Sequence, residues 1–341
     1  CNWDGGIDYF LDPDDYTKKA DGTNSDAANI DYAGDAMAIV KKIYKKEYKV
    51  GNDRYVYFCE RKVDDDFHAV GFNVLGKERD YMLIPMFYGS IDSNGKMRSI
   101  AGQWSCLTAS GSAADNATGK AIGTAEQYTA IQAASSKALF FGGALTNTLA
   151  DICILLSKST DSQTAFGSGM CSTYVEDKTQ HYGTKINTVI GGGQFYGSND
   201  NKSFNKIFHS CVMGSYMLWQ RDPYMLLING RIKVSPDYTY DLTGAKYLDT
   251  GVNLAKNGYY ATTQVVKDFG AVPNDEIACS SATGYCDHTW VNAEITAVSR
   301  RFGSCYNGAN DGLWARTLSN VAASAWWDYG ASKLLPAPAA A

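Results

Sequence analysis

Three groupings in this chain carry side chains able to do chemistry. His209 and Cys211 stand two apart, and Cys286, Asp287 and His288 are consecutive, so they offer the ligand types of a zinc site. A zinc finger or ribbon needs pairs of ligands at short fixed spacing on both halves of the site, and no second C-x-x-C anchors these. The acidic runs Asp12, Asp14, Asp15 and Asp64, Asp65, Asp66 could offer oxygens to calcium, but neither is a D-x-D-x-D-G loop closed by a glutamate. The stretch ADNATGKA at 114–121 resembles a phosphate loop only in outline. Ala114 replaces its first glycine, and Ala121 stands where a magnesium-binding hydroxyl is required. There is no G-x-S-x-G elbow, and only four histidines are available as bases. These patterns predict no enzyme, no metal and no cofactor.

The elements that would carry a different kind of site are easier to read. With 341 residues the chain can bury a large core. A net charge of -5 without a basic stripe argues against nucleic acid as a partner. The one dense basic cluster, Lys41, Lys42, Lys45, Lys46 and Lys49, is interleaved with apolar residues and predicts the solvated face of an exposed strand or short amphipathic stretch. The most apolar window, 138–157, is broken by Asn147, Asp151, two threonines and Gly142-Gly143. Leu145, Leu149, Ile152 and Leu156 fall at helical spacing within it, which predicts a buried helix and no membrane span. A helix is also expected at 125–136, opened by a T-x-x-Q box at Thr124 and Gln127.

Strands are expected at 55–60, 68–74, 80–88, 212–218 and 224–234, with a turn at 220–223 and a small-residue loop at 108–123. Residues 167–206 read as loop, and Asn116 and Asn201 open glycosylation sequons. The nine scattered cysteines predict mostly reduced thiols, with Cys153 an inert buried one and Cys279–Cys286 a possible pair across a turn. The chain opens at Cys1, where a processed lipoprotein would begin, so lipidation stands as an alternative to an excised chain.

The C-terminal segment is the unusual part. It is rich in Gly, Ala, Asn and Ser, yet it holds Trp290, Trp314, Trp326 and Trp327, four of the chain's seven tryptophans. Disordered tails rarely carry so much aromatic area, so ordered loops displaying side chains are expected. The order F-G-S-x-x-N-G-A-N-x-G-L-W-A-R over 302–316, followed by W-W-x-x-G-A-S at 326–332, resembles the end of the variable proteins of diversity-generating retroelements, especially those of bacteriophage tails. In that family a reverse transcriptase rewrites template adenines at random, and the usual mutable codon is an asparagine codon ending in a pyrimidine. Such a codon reaches Tyr, Asp, Ser, Thr, Ala, Cys, Val and Leu, but never Trp, Lys, Glu, Gln or Met. Residues 302–331 contain no Lys, Glu, Gln or Met. The positions between the matching residues hold Cys305, Tyr306, Asp311, Thr317, Ser319, Val321, Ser324, Ala325, Asp328 and Tyr329, every one reachable.

The resemblance implies an α+β protein: a β-rich N-terminal part at 1–120, then a C-type-lectin-like domain with long loops at 121–341, its variable region about 299–334. It implies a hypervariable receptor-binding protein of a phage tail tip, homo-trimeric, attaching to a bacterial surface protein or glycan. The ten reachable positions would bind ligand, while Trp314, Trp326 and Trp327 would be the template-fixed scaffold or floor. Tyrosine among Ser, Asp and Asn is also what antibody paratopes use, area at low entropic cost beside adaptable hydrogen bonds. Seven of the ten, Tyr306, Asp311, Thr317, Ser319, Ala325, Asp328 and Tyr329, are expected exposed on one face. Three alternatives stand beside this reading: a surface lipoprotein of the bacterial cell, a calcium-dependent sugar-binding lectin, and an oxidase like the formylglycine-generating enzyme. The lectin's E-P-N or Q-P-D and W-N-D motifs are absent, with only Trp327-Asp328 as a fragment. The oxidase needs a cysteine pair where this chain has Cys305 alone.

Overall fold

A computed structural model describes residues 1–51, 53–103, 105, 122–173, 191, 193–197, 204–255, 257–261, 264–267, 270–274, 279–326 and 328–338. Most of the loop expected at 108–123, the phosphate-loop-like stretch, both sequons, Cys106 and Trp327 lie outside these residues. The architecture is mixed α+β, with few helices and many strands, the larger sheet curled.

Two sheets carry the molecule. The first joins the two ends of the chain: β1 (Met37–Lys41) pairs β4 (Tyr81–Pro85), which pairs the terminal strand β14 (Lys333–Pro336), which pairs β5 (Leu139–Phe140). Lys333 adds a buried ion pair to Asp35, which also binds Arg98 at 3.3 Å. The parts before and after residue 120 therefore share one sheet and one apolar core, in which Leu83, Phe140, Leu145 and Leu334 are buried together. A separate hairpin is formed by β2 (Tyr44–Val50) and β3 (Asp53–Cys59).

The larger sheet has eight strands. Its order is β8 (Leu248–Asn253), β7 (Arg231–Val234), β6 (Trp219–Ile228), β11 (Ala297–Phe302), β12 (Gly312–Leu318), β10 (His288–Val291) and β9 (Tyr259–Tyr260), with β13 (Tyr329–Gly330) added alongside β6. Strand β6 runs straight through the residues expected to turn. Pro223 has no N–H to give a ladder, and the pairing of β6 with β11 shifts register between Asp222 and Leu226 to accommodate it. The real turn is the Asn229-Gly230 pair, both at positive φ, closing the two-residue hairpin between Ile228 and Arg231. Residues 212–218 are no strand either. Cys211–Gly214 make a short helix, all four residues buried.

The expected helices form as α1 (Thr124–Ala134) and α2 (Gly143–Ser157). The capping box sits one residue earlier than the sequence suggested. Gly123 is the N-cap, and its N–H donates to Glu126 Oε2 at 2.8 Å. Thr124 instead donates its hydroxyl to the Ala322 carbonyl, 2.9 Å away. On α2, Leu145, Leu149 and Cys153 are buried and Ile152 half-buried, but Leu156 is exposed as the helix leaves the core. No helix among the described residues is long and apolar enough to cross a membrane. Of the other expected strands, 55–60 and 80–88 appear as β3 and β4, while 68–74 keeps only the pair Asn73–Val74.

The basic cluster departs from its expected solvated role at one residue. Lys45 is fully buried, 3.0 Å from Asp151 of α2 and 3.1 Å from Glu47. Arg54 completes the group, donating to Asp151 Oδ1 at 2.6 Å and to Glu47. Burial alone would raise the Asp151 carboxyl, but the Lys45 and Arg54 charges outweigh it and hold that carboxyl below the usual range.

Candidate binding face

Strand register decides which side chains share a face, because residues paired across a ladder point the same way. Arg221 pairs Arg300, Arg300 pairs Thr317 and Thr317 pairs Trp290, so these four lie in one row on one face of the large sheet. By alternation Trp219 and His288 join that face, and Tyr260 pairs His288. The rings touch in series. Trp219 meets Trp290 edge-on at 5.4 Å, Trp290 meets His288 at 4.2 Å, and His288 meets Tyr260 at 5.1 Å. Trp290, His288 and Tyr260 are half-buried, leaving an aromatic row partly open to solvent. The Tyr260 hydroxyl donates to Asn310 Oδ1, tying the row to the 308–310 turn.

The opposite face holds the scaffold. Arg301 and Arg316 both donate to Asn147 Oδ1 of α2 at 2.8 Å. Arg301 lies 3.4 Å from Asp222, whose other oxygen accepts the Gly143 N–H at the start of α2. Trp314 is buried there at 2% exposure.

The chain at 321–324 lies against the Arg221 and Arg300 end of the row, where Arg300 reaches the Val321 carbonyl at 3.4 Å. Arg221 donates to the carbonyls of Ile122 and Ser324, at 2.9 and 2.6 Å, and Gln127 of α1 donates to the Tyr329 carbonyl. This places the ten reachable positions in three groups. Tyr306, Val321 and Ala325 are exposed, and Ser319, Ser324 and Tyr329 are half-buried. Cys305, Asp311, Thr317 and Asp328 are buried, at 0, 0, 5 and 3% exposure. The expected exposure of Asp311, Thr317 and Asp328 therefore fails, each for its own reason. Thr317 lies mid-sheet with its hydroxyl 2.7 Å from Ser319 Oγ. Asp328 accepts a hydrogen bond from the Tyr306 hydroxyl. Asp311 fills the space above Gly303, whose φ of +108° and lack of Cβ make room for the carboxyl. Gly312 does the same for Asp287, which accepts the Trp314 N–H at 2.7 Å. Trp326, expected in the floor, is 59% exposed.

Electrostatics under this surface are dominated by burial. It pushes the carboxyls of Asp287 and Asp311 well up and that of Asp328 up to about 6. It pushes Arg300 down to about 10 and Arg316 to about 9. The Tyr306 hydroxyl, the Ser304 contact and the Arg300 charge act against burial at Asp328 and do not cancel it. A carboxyl raised in the folded state binds protons that the unfolded chain releases, so its stabilising effect is full below the unfolded value and lost as pH rises through the folded one. Denaturant unfolding from pH 4 to pH 7 is expected to show Asp328→Asn flattening this fall by about 3 kcal/mol at most. Identical pH slopes for the variant and parent would refute the assignment.

The other chemical groupings lead elsewhere. His209 Nδ1 is 2.7 Å from the Tyr16 hydroxyl, and the Cys211 thiol donates to the Met86 carbonyl. Among the described residues no three His, Cys, Asp or Glu side chains gather as metal ligands, and Cys279 and Cys286 are free thiols. Sequence reasoning had singled out Trp290 but missed Trp219, Tyr260 and His288 as its neighbours. The alternation of His288 and Trp290 was the available signal. No protein-family model matches the chain, and no curated protein matches it.

Proposed function

We propose that this chain is a hypervariable binding protein diversified by a retroelement, carried at a bacteriophage tail tip to attach to a bacterial surface protein or glycan, and without catalysis of its own. The observation that carries the reading is the residue order of 302–331, with its fixed glycines and tryptophans and its codon-restricted positions between them. Support comes from the face itself. Tyr306, Val321, Ala325 and Trp326 are exposed, and Ser319, Ser324 and Tyr329 are half-buried, as are Trp290, His288 and Tyr260 of the aromatic row. The exposed and half-buried ones among these positions, next to a sheet braced from behind by α2, can change without disturbing the core. The reading takes 121–341 as a C-type-lectin-like domain, for which two helices against a curled sheet are suitable parts. Three copies per tail tip would multiply a modest affinity through effective concentration.

Two measurements test this. A near-identical DNA repeat of the codons for 299–334, differing at adenines beside a reverse-transcriptase gene, is the expected genomic companion. On the protein, Trp326→Ala with Val321→Ser should abolish or redirect binding to whole bacterial cells while the melting temperature stays unchanged, since both side chains are exposed. Cells bound equally well by parent and double variant would remove this face from attachment.

A further inference from the structure

Arg300 is a buried cation that the packing leaves unmatched. Its side chain is 0% exposed, and its Nε and Nη1 have no hydrogen-bond partner among the described residues. Its remaining nitrogen reaches the Val321 carbonyl only at 3.4 Å. Asp328 attracts it through space from beyond ion-pair distance. Arg54, Arg98 and Arg301, by contrast, each pair with a buried carboxylate. Taking an unpaired guanidinium out of water is costly, so its place under a binding face calls for a use.

One ring covers it. Tyr329 lies over the guanidinium with its centroid 4.0 Å away, and its hydroxyl is held by Asn320 Oδ1 at 2.7 Å. The ring compensates the charge through its π face. Arg221 stands directly across the ladder, adding a second positive charge. Tyr329 is itself half-buried, so part of the ring that stacks on the buried Arg300 guanidinium is open to solvent.

We propose that Arg300 is an oxyanion-binding site of this face, closed by Tyr329 and opened when residue 329 is small, so that position 329 decides whether the face takes acidic surface glycans. The acidic group is a sugar carboxylate, phosphate or sulfate, which the planar guanidinium and its free donors suit. This rests on the binding-face reading above and adds a ligand class to it. An aromatic residue at 329 gives an apolar, neutral surface. A serine or alanine there leaves the same strand residue to supply the charge.

The experiment is calorimetric titration at constant ionic strength with inorganic phosphate and, separately, glucuronate. The proteins are the parent chain, Tyr329→Phe, Tyr329→Ser, and Tyr329→Ser combined with Arg300→Gln. Tyr329→Ser is expected to bind one or both probes at least about tenfold more tightly than the parent and Tyr329→Phe, the worth of one charge-assisted hydrogen bond. Arg300→Gln should cancel that gain. The probe preferred identifies the anionic group. Should Tyr329→Ser not fold, Asn320→Ala frees the ring in the parent and is expected to show an Arg300-dependent affinity of the same kind. Titrations that are alike with and without Arg300 overturn the proposal. No cells are needed, so failure here is separable from failure of attachment in the Trp326 and Val321 variant.

Discussion

Asp151→Ala is expected to destabilise the fold by about 3–5 kcal/mol, the usual cost of removing one partner from a buried ion cluster. Lys45, Glu47, Arg54 and Asp151 form a neutral set, two cations and two anions, with side chains no more than 6% exposed. Removing Asp151 leaves a net positive charge in a place water does not reach, and it strands Arg54, which makes contacts of 2.6 and 2.7 Å to that carboxylate. Arg54 also donates to the Tyr285 hydroxyl at 3.3 Å and faces the Trp314 ring at 5.7 Å. The damage should therefore spread from α2 to the hairpin of β2 and β3 and to the scaffold under the binding face. Because the Asp151 carboxyl is held low, its contribution is present above the unfolded value of about 3.9 and is lost only as pH falls through the folded one. The penalty should accordingly be the same at pH 7 and pH 5. Urea unfolding of the variant at both values checks this, and a loss below about 1 kcal/mol would mean that water reaches the cluster.

This cluster also marks where the sequence stops being informative. Lys45 was legible as part of a basic run whose default is a solvated face, and nothing near it announces a partner 106 residues away. Long-range pairing of that kind has no local signature. The two helices were legible because α2 carries Leu145 and Leu149 at helical spacing behind a Gly-Gly break, a local pattern that tertiary contacts only reinforce. Strand β6 was misread because Pro223 ordinarily ends a strand, and only the bulge opposite Ser299 and Val298 lets it continue. In the candidate site, types were legible and depth was not. Tyr306 and Asp328 both suit a mutable codon, yet Tyr306 is exposed and Asp328 is buried as its hydrogen-bond acceptor. The aromatic row is a product of register, which joins Trp219 and Trp290 from strands 71 residues apart in the chain only once the sheet is known.

Trp314→Ala is expected to cost about 3–5 kcal/mol, the range for deleting a large buried aromatic. The ring meets Tyr285 edge-on at 5.0 Å and is flanked by the guanidinium groups of Arg54 at 5.7 Å and Arg316 at 5.5 Å. Its deletion removes more than apolar area. Two buried cations lose a π face at once, and the cavity opens beside the Asp151 cluster. Trp314→Phe should recover much of the loss, because it restores a ring for both cations and fills most of the space. Trp326→Ala, at a ring 59% exposed, should change stability by no more than about 0.5 kcal/mol. The contrast tests a division of labour between two tryptophans twelve residues apart in one segment, the first bracing the sheet from behind and the second offered to a ligand in front. Thermal and denaturant unfolding of the three variants, read beside cell binding of Trp326→Ala, decides it. If Trp314→Ala melts like the parent, this ring does not brace the sheet from behind.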